Sequence, residues 1–567
     1  MLEIVLINKY WSRYHDSEIA IDFIGYIDFE GSVINEADDL ALFFCKLKIT
    51  TTNLQGLLYS NLLPKANGNF AFIVKTKNRC ILVCDYSRNY PLFIINDDQR
   101  IILTDHIGEI PFKKVTDTLA IEEFLLSGFV TGNRTVFQNV KGIQAGEMAI
   151  INDQDIQFQR YFVMKPDPFR INSQRTKETI YKEMDSLLIS AFKRMICSCP
   201  EVNNWIVPLS GGHDSRLIIN YLYKLKCKNV ICFTYGRDPL SKEVIISKQV
   251  ADAVGYKWYF IEYTAEEWHK VHTNRLFDKY ITYSFNGCSL AHPLDFLAVY
   301  KLKELGIIND NDVFVPGLTA FTETSSEAIK DLSDVEQSLK YVYNKYYTPF
   351  NYKNQYSKFE SNLRMLFENG EQNKYSFPEF FFWNERGVKY LSNWVRVYEF
   401  FGLQWRLPLK EKSLIDFWQR IDFDERIERA ILFSACKNYL FCDVLKNIPI
   451  INKFNKTRLT KKNFRKIIPR KLISMLARVI NRKPFVPTGN NLVFANKAPS
   501  VKKLVGPLNI YPTNIIKNIN SILPRKPYQV NVDSLMAIYT LRNEVFSNYT
   551  IKSNNKKFIL PDRDSSV

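Results

Sequence analysis

One stretch limits what this chain can be more than any other: Trp205-Ile206-Val207-Pro208-Leu209-Ser210-Gly211-Gly212-His213-Asp214-Ser215-Arg216-Leu217-Ile218-Ile219. An apolar run of strand type stops in a small, polar, glycine-rich turn. A helical apolar pattern (Leu217, Ile218, Tyr221, Leu222, Leu225) begins at once. Such a turn points successive backbone N–H groups into one concavity at a helix N-terminus, where the partial positive charge favours an anion. Ser210 and Ser215 add hydroxyls, and Gly211 and Gly212 let the backbone come close to a ligand. Asp214 is the odd member, because a carboxylate beside a phosphate requires a cation between them. The combination points to a nucleotide phosphate held with Mg²⁺, with Asp214 as the metal ligand. A plain glycine turn between a strand and a helix is the alternative for so short a motif.

The neighbouring sequence favours the ligand site. A second apolar run at Val230–Gly236, a helix pattern with Ser241 and Glu243 near its start, and a third run at 258–261 predict a β-α-β-α-β unit. Its loops lie at the carboxyl ends of the strands, where open parallel sheets bind ligands. In this setting SGGxDS resembles the pyrophosphate-binding loop of ATP pyrophosphatases, which cleave ATP between the α and β phosphates and adenylate a substrate. The resemblance implies ATP and Mg²⁺ as cofactors. The nucleotide would lie along Leu209, Ser210, Gly211, Gly212, Asp214 and Ser215, with its adenine near Leu209 and Tyr235.

At 567 residues the chain is too long for one core and predicts two or three domains. The first nine residues lack a basic region, a long apolar core and a small-residue cleavage site, so they predict a first β-strand and not a signal peptide. No apolar run is long enough to span a bilayer. Ten cysteines without regular spacing predict free thiols in a reducing, cytoplasmic compartment. The charge is concentrated. Between Val444 and Val532 there are 19 lysines and arginines and no acid, which exceeds the whole chain's net charge of +17 and leaves the remainder near neutral.

Residues 1 to about 165 alternate in β fashion. Gly68-Asn69-Phe70-Ala71-Phe72-Ile73, Ile81-Leu82-Val83-Cys84-Asp85 and Tyr90-Pro91-Leu92-Phe93 predict a hairpin whose second strand turns at Pro91 into a third. Ile121-Glu122-Glu123-Phe124-Leu125-Leu126-Ser127-Gly128 predicts a short helix capped by glycine, followed by a turn and a strand that ends near Gly146. Both stretches resemble the amino-terminal glutaminase domain of glutamine-dependent asparagine synthetases. Further on, Tyr398-Glu399-Phe400-Phe401-Gly402-Leu403-Gln404-Trp405-Arg406-Leu407-Pro408-Leu409 resembles the carboxy-terminal synthetase signature of that family. Residues 60 to 440 are thus similar to the family in its own domain order, and most of all to asparagine-synthase-related proteins of bacterial surface-polysaccharide clusters. The implied fold is α/β with three parts. A degenerate Ntn-like α+β sandwich would occupy residues 1–165. A parallel-sheet ATP pyrophosphatase domain, of the adenine nucleotide alpha hydrolase type, would occupy 170–445. A basic, helical carboxy-terminal extension would occupy 446–567.

The departures matter as much as the matches. The family's glutaminase uses a cysteine at the mature amino terminus, whereas this chain has Leu2 there. Its first cysteine, Cys45, lies among Leu40, Leu42, Phe43 and Phe44 and is expected to be a packed core thiol. The family's Asn-Gly-Glu glutamine-binding run has no counterpart before residue 60, so glutamine hydrolysis is not expected. The stretch 312–322, with Gly317 at its turn, occupies the position of the family's second ATP loop. Leu318 and Phe321 stand where family members carry a Glu or His and an Asp that helps hold pyrophosphate and Mg²⁺. Glu323 is the nearest acid. His213 is expected to be a variable loop residue. By resemblance Arg406 is a catalytic candidate and Glu411 sits below the substrate pocket, with a buried ion pair as the equal alternative. Lys437, Lys446, Lys453 and Lys456 are candidates for the family's catalytic lysine.

The basic segment is amphipathic after Pro469, with Leu472, Ile473, Leu476, Val479 and Ile480 on one face. It is expected to pack on the body, to lie on an anionic membrane surface at the inner face, or to bind an acidic polymer; nucleic acid fits poorly with the first domain. The resulting expectation is an ATP-dependent amide ligase. It would adenylate a small-molecule, glycan or peptide carboxylate and pass it to ammonia or an amine, in asparagine or surface-polysaccharide biosynthesis. The alternative is a catalytically degenerate homologue that serves as a nucleotide-binding or structural partner. A tRNA-modifying pyrophosphatase would account for the basic tail but not for the first domain.

Overall fold

The computed structural model describes residues 1–451, apart from 99, 153–154, 167–174, 323–325 and 348–354, together with 536–537 and 540–541. The Pro469 helix, Glu323, Lys453 and Lys456 therefore lie outside the described residues. Over those described, the protein is a mixed α/β structure with three sheets.

The first third of the chain forms two of them. Strands β1 (Leu2–Val5), β7 (Phe93–Asp97), β8 (Arg100–Thr104) and β9 (Val140–Gly142) form a four-stranded sheet in the order β1-β8-β7-β9. Strands β2 (Ser12–His15), β3 (Ile19–Phe29), β4 (Ser32–Ile34), β5 (Asn67–Thr76), β6 (Cys80–Cys84), β10 (Glu147–Asn152) and β11 (Asp155–Arg160) form an antiparallel one, ordered β11-β10-β6-β5-β3-β2 with β4 on β3. The two-residue period of a strand distributes the β5 and β6 side chains. Ala71, Ile73, Leu82 and Cys84 share a core with Ile94 and Leu103 of the four-stranded sheet. Phe70, Phe72, Val74, Ile81 and Val83 share the opposite core with Leu40, Ala41 and Phe44 of the helix Ala37–Lys46. The hairpin of β5 and β6 forms as expected. The strand after Pro91 does not extend it, because β7 pairs with β8 and β9 in the other sheet. The helix Thr118–Ser127 also forms, with the Asp117 carboxylate on the Ala120 N–H and Gly128 in the left-handed region at φ +84°. Cys45 is a correction. It is exposed, because Ala37, Leu40, Ala41 and Phe44 set the helix's buried face at i, i+3, i+4 and i+7 and leave Leu42 and Cys45 outside it.

The third sheet is parallel throughout. It comprises β12 (Trp205–Pro208), β13 (Val230–Gly236), β14 (Lys257–Glu262), β15 (Val313–Phe314) and β16 (Gln404–Trp405), in the order β14-β13-β12-β15-β16. The helices His213–Lys224 and Lys242–Ala253 make the first two crossovers. The chain runs from β12 outward to β14 and then returns to the far side of β12 to lay down β15 and β16. The strand order therefore reverses between β12 and β15, the kind of point at which open parallel sheets bind ligands.

The first sheets and the third are tied closely. Leu407 N–H donates to Asn69 Oδ1 at 2.8 Å and Ser413 N–H to Asn67 Oδ1 at 2.9 Å. Glu411 accepts from Tyr26 Oη at 2.8 Å and from Arg194 Nε at 2.8 Å. Burial raises its carboxyl to about 7, against the pull of Arg194. Glu411 is thus the buried ion pair that the sequence offered as an alternative role. No described helix is long and apolar enough to cross a membrane.

Candidate functional site

Ser210 to Ser215 follow β12 directly, and Pro316-Gly317 follow β15, so both predicted loops meet at the reversal point of the sheet. Their approach is close. A Cβ added to Gly317 would stand 3.0 Å from Ser215 N and 3.2 Å from Asp214 Cβ, which a side chain could not tolerate without displacing the loop. The loop is anchored to β13: Leu209 N–H donates to Phe233 O at 2.8 Å, and Thr234 Oγ1 donates to Leu209 O at 2.7 Å. Ser210 N–H donates to Ser215 Oγ at 3.0 Å, the two hydroxyls are 3.0 Å apart, and Gly212 N–H donates to Ser210 Oγ at 3.3 Å. The serine hydroxyls therefore shape the turn by bonding one another. Gly212 is the N-cap of the helix His213–Lys224 and supplies no capping side chain, so the first-turn N–H groups have no side-chain acceptor from the cap.

The cation that Asp214 demands is present in the protein itself. Arg429 Nη1 donates to Asp214 Oδ2 at 3.0 Å, and Arg429 Nη2 donates to Oδ1, a bidentate pair that occupies both carboxylate oxygens. The Arg429 side chain is 4% exposed and that of Asp214 27%. Arg429 sits in the left-handed region at φ +60°, at the turn that enters the helix Ala430–Ala435. On that helix Phe433 stacks on the His213 ring, with centroids 4.0 Å apart, and its face lies 5.3 Å from the Arg429 guanidinium. Burial first, and then Arg429, push His213 down to about 4, so it is neutral near pH 7 and brings no charge to the loop.

Mg²⁺ fits these residues poorly. Both oxygens of Asp214 already accept from Arg429. Phe321 is 0% exposed, packed edge-on against Trp418 at 5.3 Å, and belongs to the core. Among the described residues no group of three or more His, Cys, Asp or Glu side chains could hold a metal ion.

Two other predicted site residues are placed elsewhere. The Tyr235 ring stacks on Tyr263 at 4.8 Å, and its hydroxyl donates to the buried Asp295 at 2.6 Å, as does that of Tyr398. Its ring and hydroxyl are engaged with this cluster, away from the turn of the loop. Arg406 donates to Ser198 Oγ at 3.0 Å and to Trp405 O at 2.9 Å. It lines a cavity of about 260 Å³ with Tyr10, Tyr90, Cys199 and Val313, near the strand beginnings of the sheet rather than at the loop. Lys437 is exposed and Lys446 pairs with Asp443 at 2.6 Å. Arg429, Phe433, Arg216 and Ile451 were not singled out by sequence, since no local pattern links positions so far apart on the chain.

No protein-family model matches the sequence, and no curated protein does. Among solved structures, a glutamine phosphoribosylpyrophosphate amidotransferase from B. subtilis, complexed with ADP and GMP, is 12% identical, with 44% of this chain and 72% of that chain covered and a TM-score of 0.19. The U34-tRNA thiolase NcsA from Methanococcus maripaludis is 14% identical (40% and 89% covered, TM-score 0.20). An NH3-dependent NAD synthetase from Campylobacter jejuni is 12% identical (35% and 86% covered, TM-score 0.18). Likenesses at this level carry no argument about this chain.

Proposed function

We propose that this protein binds a nucleoside triphosphate such as ATP on the Ser210–Ser215 loop and acts as a nucleotide-binding partner rather than as a self-sufficient amide ligase. The observation that carries this is the pairing of two features: the loop stands at the sheet's reversal point on an uncapped helix N-terminus, and the acid beside it is already neutralised by Arg429. The backbone donors of the helix's first turn, His213 to Ser215, and the helix dipole suit an anionic phosphate. The first domain serves as a scaffold, with Asn67, Asn69 and Tyr26 fastening the 407–413 segment.

A second reading keeps turnover, and the loop's placement at the strand ends favours it. A carboxylate oxygen of a small molecule, glycan or peptide would attack the α-phosphorus, pyrophosphate would leave, and an amine would then displace AMP from the acyl-adenylate. That chemistry places a divalent cation at Asp214, which requires Arg429 to leave it. The partner reading needs no such rearrangement. The basic segment beyond residue 451 is retained as a proposed contact for an anionic membrane or an acidic polymer.

Gly212→Asp separates binding from folding. A Cβ at Gly212 would meet only Ser210 Oγ, at 3.4 Å, and an aspartate at an N-cap is favourable. The variant is expected to melt at or above the wild-type temperature, yet to bind ATP at least about tenfold more weakly in equilibrium dialysis, because its carboxylate repels the phosphates. Unchanged ATP affinity would remove the loop from the nucleotide site.

A further inference from the structure

The helix that carries the phosphate loop also carries a segment from much later in the chain. Asn220 Nδ2 donates to Leu440 O at 3.0 Å, and Cys442 N–H donates to Asn220 Oδ1 at 2.9 Å, which fixes the start of that segment. One helical turn nearer the loop, Arg216 reaches two consecutive carbonyls. Its Nη1 donates to Ile448 O and its Nη2 to Pro449 O, both at 2.6 Å, while its guanidinium lies 5.8 Å from the Phe441 ring centroid. Two residues on, Ile451 N–H donates to Gly211 O at 2.9 Å. The Ile451 side chain fills the space over that glycine, its Cδ1 2.7 Å from where a Gly211 Cβ would stand.

These contacts lie on the turn itself. Gly211 is the residue whose missing side chain would let a phosphate approach, and Ile451 takes that space. We infer that residues 448–451 form an autoinhibitory strap over the phosphate loop, which peels off Gly211 before a pyrophosphate-bearing ligand can engage. The inference rests on the nucleotide reading of the loop given above. Asn220 is the fixed base of the strap, Arg216 its clasp and Ile451 its tip. A strap closed most of the time lowers apparent affinity by the open fraction, so weakening the tip alone tightens binding.

The test uses the full chain and two probes, ATP and inorganic pyrophosphate. Titration calorimetry is expected to show at least about tenfold tighter binding of both to Ile451→Gly than to wild type. A second measurement needs no variant. ATP should speed hydrogen exchange of the wild-type Ile451 amide while it slows exchange of the loop amides from Gly211 to Ser215. Equal affinities, with exchange at Ile451 unchanged by bound ATP, would overturn the strap and leave the nucleotide reading standing. Failure of both proteins to bind either probe at millimolar concentration would overturn the nucleotide reading, and the strap with it.

Discussion

Phe321→Asp is expected to unfold the protein rather than to restore an acid to the site. The ring is fully buried in the apolar core, edge-on against Trp418. Removing it leaves a cavity worth about 3–5 kcal/mol, as for Phe→Ala in other cores. The aspartate adds the cost of an unpaired buried carboxylate, several kcal/mol more unless it takes up a proton. A total above about 5 kcal/mol consumes most of the stability of an ordinary domain. Urea denaturation or recovery of folded protein should show the loss directly, while Phe321→Leu should cost only about 1–2 kcal/mol. A Phe321→Asp protein that folds with a near-wild-type midpoint and cleaves ATP would place this residue at the nucleotide site instead of in the core.

Asp214→Ala carries the second large effect. It removes the bidentate acceptor of a guanidinium that is almost wholly buried, and breaking a buried pair from one side costs about 3–5 kcal/mol. Because the aspartate is partly exposed, solvent screening lowers this cost, and we expect about 2–4 kcal/mol by chemical denaturation. Arg429→Met in the same chain should recover much of it, since the apolar side chain can rest on Phe433 without stranding a charge. The double-mutant cycle then reports a coupling of about 2 kcal/mol between the two positions. Additive single effects within about 0.5 kcal/mol would mean that the pair contributes little. A loss of nucleotide binding in Asp214→Ala alone would therefore say little about ligation, because the loop's geometry goes with it.

The loop itself was legible because its chemistry is local: a strand run, two glycines and a helical phase within fifteen residues. The reversal of the parallel sheet was not. β15 and β16 are two residues long, too short for any period, and only the pairing of β15 with β12 and of β16 with β15 makes them strands. Phe70 to Val74 read as a strand but not as a strand between two cores, because a strand buried on both faces shows a continuous apolar run. Cys45 misled for a related reason. Leu42-Phe43-Phe44-Cys45 is apolar throughout, and the phase that turns Cys45 outward is set by Ala37, Leu40 and Ala41. At the site, a carboxylate beside a phosphate loop calls for a cation, and from sequence the natural candidate at Asp214 is Mg²⁺. The protein supplies Arg429, 215 residues further along the chain, where no spacing rule applies. Phe321 was recognised as a departure from the expected acid, and its burial agrees with its chemistry.

The proposal turns on one contrast: nucleotide binding at the Ser210–Ser215 loop without a metal ion at Asp214. The most direct measurement is a titration of ATP into the full chain, once in EDTA and once in excess Mg²⁺, with AMP assayed in both samples. Saturable binding is expected in EDTA, with an affinity within about threefold of that in Mg²⁺, which is a difference below about 0.7 kcal/mol, and no AMP in either sample. Binding that appears only with Mg²⁺, accompanied by AMP, would contradict the proposal and would mean that Arg429 gives up Asp214 to a working ligase site.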